Sequence, residues 1–142
     1  MMSVGSMEME TDRNGKLLPS SLSYNFVTKL LRQKLGFQNL VVTDDLEMGA
    51  ILNNYGIGEA CEMAFKAGAD MLAICANPKL IEEGYNSILK ALKRGEISEA
   101  RIDESLERIA HVKSKISAPV ELNESRLREI SDEIKTLKQN LS

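Results

Sequence analysis

An aspartate pair, Asp44-Asp45, closes the β-branched apolar run Leu40-Val41-Val42-Thr43, and Glu47 stands two residues further on. Carboxylates in such a place can do three kinds of work. They can cap a loop by accepting backbone N–H bonds. They can ligate a divalent cation as hard oxygen donors. One of them can attack an electrophilic carbon or move a proton. Successive strand residues point to opposite faces, so Asp44 and Asp45 need not share a site. One can face a pocket while the other caps the loop that follows. Local sequence alone reads both as loop-start and capping carboxylates. A cation cluster of Asp44, Asp45 and Glu47 is left without support, because no histidine or further carboxylate pattern accompanies it.

The elements that must position these residues are legible from spacing. Asp12-Arg13-Asn14-Gly15 carries turn chemistry, and Met1–Val4 fits the stub of a strand. Ser23 reads as an N-cap. Phe26, Val27, Leu30, Leu31 and Leu35 follow at helical spacing, and Gly36 supplies the stop. The run 40–43 reads as a strand buried on both faces, as in a parallel sheet. A linker through Tyr55-Gly56-Ile57-Gly58 leads to a helix over Glu59–Lys66, ended by Gly68. Asp70–Cys75 reads as a second buried strand.

Asn77-Pro78 opens the next helix, with proline at its first position. Leu80, Ile81, Ile88, Leu89 and Leu92 form its buried face, and Gly95 ends it. Ser98 starts another helix, with apolar positions at Ile102, Leu106, Ile109, Val112 and Ile116. Ser117-Ala118-Pro119 is a linker. The last helix begins at about Asn123 and carries Leu127, Ile130, Ile134, Leu137 and Leu141 at 3-4-3-4 spacing. Such a stripe docks on a parent core or, less often, forms a self-associating seam. The order helix, strand, helix, strand, helices predicts an α/β fold with parallel strands and right-handed crossovers.

The chain has 142 residues, enough for one domain but short of the roughly 250 that a complete eight-fold α/β barrel needs. Its formal net charge is −3 and aromatics are 4% with no Trp, which argues against phosphate-driven or base-stacking nucleic-acid binding. Cys61 and Cys75 both sit in apolar runs and read as small buried hydrophobes in a reducing compartment. The N-terminal stretch lacks the basic start and apolar core of a signal peptide, and no apolar run is long enough to span a bilayer. A soluble, cytoplasmic chain is the expectation.

Three segments in order resemble one known family. They are Pro19-Ser20-Ser21-Leu22-Ser23, Leu30-Leu31-Arg32-Gln33-Lys34-Leu35-Gly36-Phe37, and Leu40-Val41-Val42-Thr43-Asp44-Asp45-Leu46-Glu47-Met48-Gly49-Ala50-Ile51. Together they look like the nucleophile region of glycoside hydrolase family 3, closest to its β-N-acetylglucosaminidase (β-N-acetylhexosaminidase) branch. The β-glucosidase branch usually has Ser-Asp-Trp at the corresponding place. The likeness continues through Gly58-Glu59-Ala60, Ala67-Gly68-Ala69-Asp70-Met71-Leu72 and Gly95-Glu96-Ile97-Ser98 to Arg101-Ile102-Asp103-Glu104-Ser105, and so covers roughly residues 18 to 116.

The resemblance implies a partial (β/α)8 barrel. Residues 40–44 and 70–75 would be its seventh and eighth strands, and the helices around 78–94 and 98–116 its outer layer. Residues 1–21 are then a loop or strand remnant, 22–116 the C-terminal part of the barrel, and 117–142 a linker and C-terminal helix. The family's catalytic nucleophile maps onto Asp44, with Asp45 a companion that is not catalytic. The resemblance also marks absences. Asn39 stands where the family has glycine, and Asn tolerates left-handed backbone. The branch's acid histidine and its sugar-binding Lys-His pair and Arg lie upstream and have no counterpart here. The single histidine, His111, reads as a residue of an outer helix and not as the acid.

Two readings of function follow. In the first, the chain is a fragment of a retaining enzyme that releases terminal β-linked N-acetylglucosamine, as in peptidoglycan turnover. It supplies Asp44 but no general acid, and is inactive or nearly so alone. No metal or organic cofactor is implied, and the missing N-terminal half is its expected partner. In the second, the chain is a non-enzymatic relic or interaction module. It then forms a homodimer through its open barrel edge and C-terminal stripe. A small helical regulator unrelated to sugars does not fit the ordered motifs.

Overall fold

The computed structural model describes residues 9–117 and 121–141. The strand stub expected at Met1–Val4 lies outside the described residues, as do Ala118 and Pro119 of the expected linker. The chain enters through the expected turn. Asp12 Oδ1 accepts the N–H groups of Asn14 (2.8 Å) and Lys16 (2.9 Å), and an antiparallel bridge joins Thr11 to Leu17. A short 3-10 turn, Ser20–Leu22, then leads to a helix over Asn25–Lys34. Ser23 caps it as expected, its Oγ accepting the Phe26 N–H at 3.2 Å. The winding is wider than an α-helix. Bonds span five residues, as in Leu35 N–H to Leu30 O at 2.9 Å, so this is a π-helix.

Next come β1 (Val42–Asp45), α1 (Gly49–Leu52), α2 (Ile57–Ala67), β2 (Met71–Ala73), α3 (Pro78–Lys93), α4 (Glu99–Lys113) and α5 (Glu124–Asn140). β1 and β2 pair in parallel, and α2 is the connection between them. The result is a mixed α/β fragment, mostly helical, around two parallel strands. The helices start at Asn77, Ser98 and Asn123 as read from sequence, and each of these side chains caps its helix by accepting an N–H of the first turn. Gly68 ends α2 at φ 120°, a conformation that side chains avoid. A Cβ there would also meet Thr28 Oγ1 at 2.6 Å.

The core lies where α2 meets its neighbours. Ile57, Ala60, Cys61 and Ala64 recur at helical spacing and pack with Leu22, Leu46, Ile51 and Tyr55. On the other flank Phe65 meets Ala91 and Ile97. Small residues set the α2–α3 approach. A Cβ on Gly84 would sit 2.7 Å from Cys61 Sγ, and one on Gly58 would sit 3.0 Å from Ser87 Oγ.

Several expectations need correction. β1 begins two residues later than read and is not buried on both faces, since Val42 is 51% exposed and Asp44 is exposed too. β2 is a three-residue strand with Met71 exposed. Each strand of a two-stranded sheet has one edge without a strand partner among the described residues. The short α1 was not foreseen, and Ile57-Gly58 belongs to α2, not to a linker. Ile81 faces outward, and the most buried positions of α3 are Gly84 and Ala91. The apolar stripe of α4 is largely open, with Leu106 and Val112 exposed, and Ile116, read as part of it, lies past the helix end and is exposed too. α5 buries no residue, so its stripe does not dock on the core of its own chain. Asn39 does not use left-handed backbone, for no described non-glycine residue has positive φ. Cys61 is buried, but Cys75 is exposed; both are free thiols.

Candidate active site

Strand β1 delivers Thr43, Asp44 and Asp45 to its C-terminal end, and the pairing with β2 is irregular there. Val42 pairs with Met71 and Asp45 with Ala73, so β1 spends one more residue than β2 over the same span. Such a bulge re-aims side chains. The Thr43 hydroxyl fills the gap by accepting the Ala73 N–H at 2.9 Å. Leu46 N–H then bonds Ala73 O at 2.9 Å, closing the strand. Thr43 and Leu46 are buried, while Asp44 is exposed.

The two aspartates part company. Asp45 is half-buried and caps the loop, its Oδ1 accepting the Glu47 N–H at 3.0 Å. Asp44 Oδ1 accepts the N–H of Asp45 at 2.8 Å and its carboxylate otherwise stands open to solvent. Strand alternation allowed such a difference, although local sequence read both as capping carboxylates and both line the cleft beside β1. Glu47 turns the other way. Its carboxylate accepts the N–H groups of Ala76 (2.5 Å) and Asn77 (3.1 Å), tying the loop after β1 to the loop after β2. Among the described residues no group of three or more His, Cys, Asp or Glu side chains could hold a metal ion, so Asp44, Asp45 and Glu47 do not converge as a cation site.

Beside β1 runs a cleft of about 480 Å³. The unpaired flank of β1 with Asp44 and Asp45 forms one wall, and Phe26, Val27 and Leu31 of the π-helix form another. Its lining is mostly apolar, with the carboxylates at the strand's C-terminal end. Cys75 sits at the same end on β2's exit. Desolvation, then the Asp45 carboxylate that accepts its hydrogen bond and the charges of Glu47 and Asp44, hold its thiol above the usual range. Burial likewise pushes the Cys61 thiol up to about 11. Neither is primed as a nucleophile, since the thiolate is the reactive form.

His111 is exposed in the last turn of α4. It lines a shallow hollow with Gln38, Asn39 and Leu40, which precede β1. That is the end of the strand opposite Asp44, so the placement fits the reading that His111 is no acid partner.

Behind the strands lies an ion cluster that sequence reading missed. The Asp70 side chain is fully buried. It accepts from Arg32 Nη2 (2.7 Å), Arg108 Nη1 (2.9 Å), Ser105 Oγ (2.9 Å) and the Val41 N–H (2.9 Å), with Arg101 Nη1 at 3.4 Å. Burial by itself would raise this carboxyl. The Val41 N–H, Ser105, Arg108 and Arg32 outweigh it and hold the group below its usual range. Arg101 also stacks on Phe65, 4.6 Å from the ring centroid. Asp70 thereby joins the π-helix, the residue that leads into β1, and α4 at one point. The signal was present in sequence as Ala69-Asp70 and Arg101 within the ordered motifs, but spacing gave no hint that they meet.

The chain matches the family described as the glycosyl hydrolase family 3 N terminal domain over residues 1–112. The match fixes the domain, not a position within it. An uncharacterized secreted glycosyl hydrolase of Arthroderma benhamiae is 36% identical over 101 residues, covering 70% of this chain and 29% of its own length. Beta-hexosaminidase A of Pseudoalteromonas piscicida is 33% identical over 104 residues, 69% of this chain and 17% of that protein. Among solved structures, a family 3 β-N-acetylglucosaminidase from Paenibacillus sp. superposes with a TM-score of 0.69 at 39% identity, over 75% of this chain and 21% of that one. The chain thus spans between 17 and 29% of the length of these relatives.

Proposed function

The chain belongs to glycosyl hydrolase family 3, and on that premise we propose that it is part of a retaining β-N-acetylglucosaminidase in which Asp44 is the nucleophile. β1 and β2 are then the seventh and eighth strands of a (β/α)8 barrel, with α3 and α4 in its outer layer. The rest of the barrel lies against the free edges of β1 and β2 and carries the general acid. The observation that carries this reading is the exposed Asp44 carboxylate at the C-terminal end of a parallel strand, where barrel enzymes keep their chemistry. Its neighbour Asp45 is committed to the loop.

In the proposed reaction an Asp44 oxygen attacks the anomeric carbon of a terminal β-linked N-acetylglucosamine. The glycosidic C–O bond breaks, and the departing oxygen takes its proton from the acid on the rest of the barrel. Water then attacks the glycosyl ester and regenerates the carboxylate, with overall retention. General acid help is worth about 10²–10⁴-fold, so this chain alone turns over ordinary glycosides negligibly.

A leaving group that needs no proton removes that requirement. The test is intact-protein mass after incubation with an activated, fluorinated N-acetylglucosaminide. The expected result is one adduct per chain, mapped to Asp44 and absent in Asp44→Asn. A protein that is folded by circular dichroism yet takes no adduct overturns the assignment and leaves a scaffold without chemistry.

A further inference from the structure

We infer that Glu47 is the positioning residue for Asp44, holding it through a relay of hydrogen bonds that ends on the entry to α3. The inference rests on the reading of Asp44 as nucleophile. Three links run in series, each from a backbone N–H to the carboxylate before it. The Asp45 N–H reaches Asp44 Oδ1 at 2.8 Å, and the Glu47 N–H reaches Asp45 Oδ1 at 3.0 Å. The Glu47 carboxylate then accepts the Ala76 N–H on Oε2 at 2.5 Å and the Asn77 N–H on Oε1 at 3.1 Å. Ala76 and Asn77 lead straight into α3. Gly84 brings that helix close against Cys61 of α2 in the core. The relay therefore ties Asp44 to packed helices.

Little else locates that carboxylate. Asp44 makes no other hydrogen bond among the described residues, and β1 has a strand partner there on one edge only. A reacting group must be held within about 0.5 Å of its productive place. Glu47 has the chemistry for such a clamp. Its two oxygens meet two successive N–H groups, and its charge lies at the entry to a helix, where backbone dipoles favour an anion. Asp44 and Asp45 line the cleft beside β1, whereas Glu47 does not, so its part is mechanical and it touches no sugar. Glutamine would keep one acceptor oxygen and turn an NH2 donor toward the other N–H. Alanine would keep neither bond.

The test is the rate at which the activated, fluorinated N-acetylglucosaminide labels the full chain, followed by intact mass over a concentration series of the sugar. This separates the limiting first-order rate from the half-saturating concentration. Glu47→Ala is expected to lower the limiting rate by ~30-fold, short of the ~100-fold that an ångström of misplacement costs. The half-saturating concentration should stay unchanged, since no sugar contact is lost. Glu47→Gln keeps one of the two bonds and is expected to lose only ~5-fold. It decides the matter where Glu47→Ala does not fold by circular dichroism. Ser98→Ala removes the cap of α4, so it destabilises the chain without touching the relay and is expected to label at the wild-type rate. If the wild type is labelled at Asp44 and the Glu47 variants label as fast, the inference is overturned and the nucleophile stands. The same follows from an effect confined to the half-saturating concentration, or from Ser98→Ala slowing labelling as much as Glu47→Ala. A wild type that takes no label overturns the nucleophile reading, and this inference with it.

Discussion

The Thr43 hydroxyl accepts the backbone N–H of Ala73 at 2.9 Å, standing in for a main-chain carbonyl where the β1–β2 ladder slips by one residue. Because Thr43 is buried, no water replaces that bond when the hydroxyl is lost. Thr43→Val keeps shape and β propensity but orphans the Ala73 N–H, at a cost of about 1–3 kcal/mol. Thr43→Ser keeps the acceptor and loses only a methyl. Urea unfolding should therefore rank wild type, then Ser, then Val; equal midpoints for the last two would remove the hydroxyl from the account.

Asp70 makes the fold sensitive to acid. Its folded carboxyl is held below the usual value by the Val41 N–H, Ser105, Arg108 and Arg32 acting against burial. A depressed folded value means the stabilisation is complete above the unfolded pKa of about 3.9 and is lost as pH falls through the folded value. The melting temperature should be flat from neutral pH to about pH 5 and fall below about pH 4. Asp70→Asn leaves Arg32, Arg101 and Arg108 without their shared anion, at a cost of about 3–5 kcal/mol. Its residual melting curve should also lose the acid limb contributed by this group. An Asp70→Asn protein as stable as wild type at pH 7 would show that the cluster is incidental.

Gly84 lets α3 lie against α2. A Cβ at this position falls 2.7 Å from Cys61 Sγ and 3.0 Å from Ile74 Cδ1. Gly84→Ala gains helix propensity worth about 1 kcal/mol but overpacks a buried crossing, costing about 1–3 kcal/mol. Net destabilisation is expected, and Cys61→Ala in the same chain should recover part of it by vacating the space. Calorimetry of the four-member cycle measures that coupling. Additive single effects would place the strain elsewhere.

The punctuation of the chain was the part most open to sequence reading. Asn77-Pro78, Ser98, Asn123 and Gly68 act through local chemistry, and each does what its type and position predict. The two strands were visible as β-branched runs, yet their burial was not, because burial belongs to neighbours and not to the residues themselves. Val42 and Met71 have strand character and pair with each other, yet both stand exposed. The π-winding of Asn25–Lys34 was hidden for a similar reason. Thr28 donates to Ala67 O and Arg32 to Gly68 O, both at the end of α2, so tertiary partners hold that helix. At the site, alternation allowed different roles for Asp44 and Asp45 but did not say which would hold the loop. The clamp of Glu47 on Ala76 and Asn77 joins positions about 30 apart, a pairing without any local signal.

The split between the aspartates yields the sharpest separation of stability from chemistry. Asp45 holds a turn: its carboxylate accepts the Glu47 N–H at 3.0 Å from a half-buried position. Asp45→Ala frees that N–H and loosens the loop that follows β1, costing about 0.5–1.5 kcal/mol. Asp44 bonds only its neighbour's N–H and is exposed, so Asp44→Asn should shift stability by no more than about 0.5 kcal/mol. Adduct formation should order them the opposite way. Asp44→Asn abolishes labelling by the activated sugar, while Asp45→Ala slows it through the displaced loop without moving the labelled residue. A folding scaffold and a nucleophile make opposite demands on the two positions, and one pair of melting curves with one pair of mass spectra reads both. If Asp45→Ala abolished the adduct while Asp44→Asn kept it, the nucleophile would be Asp45, and the loop cap would have been mistaken for the spectator.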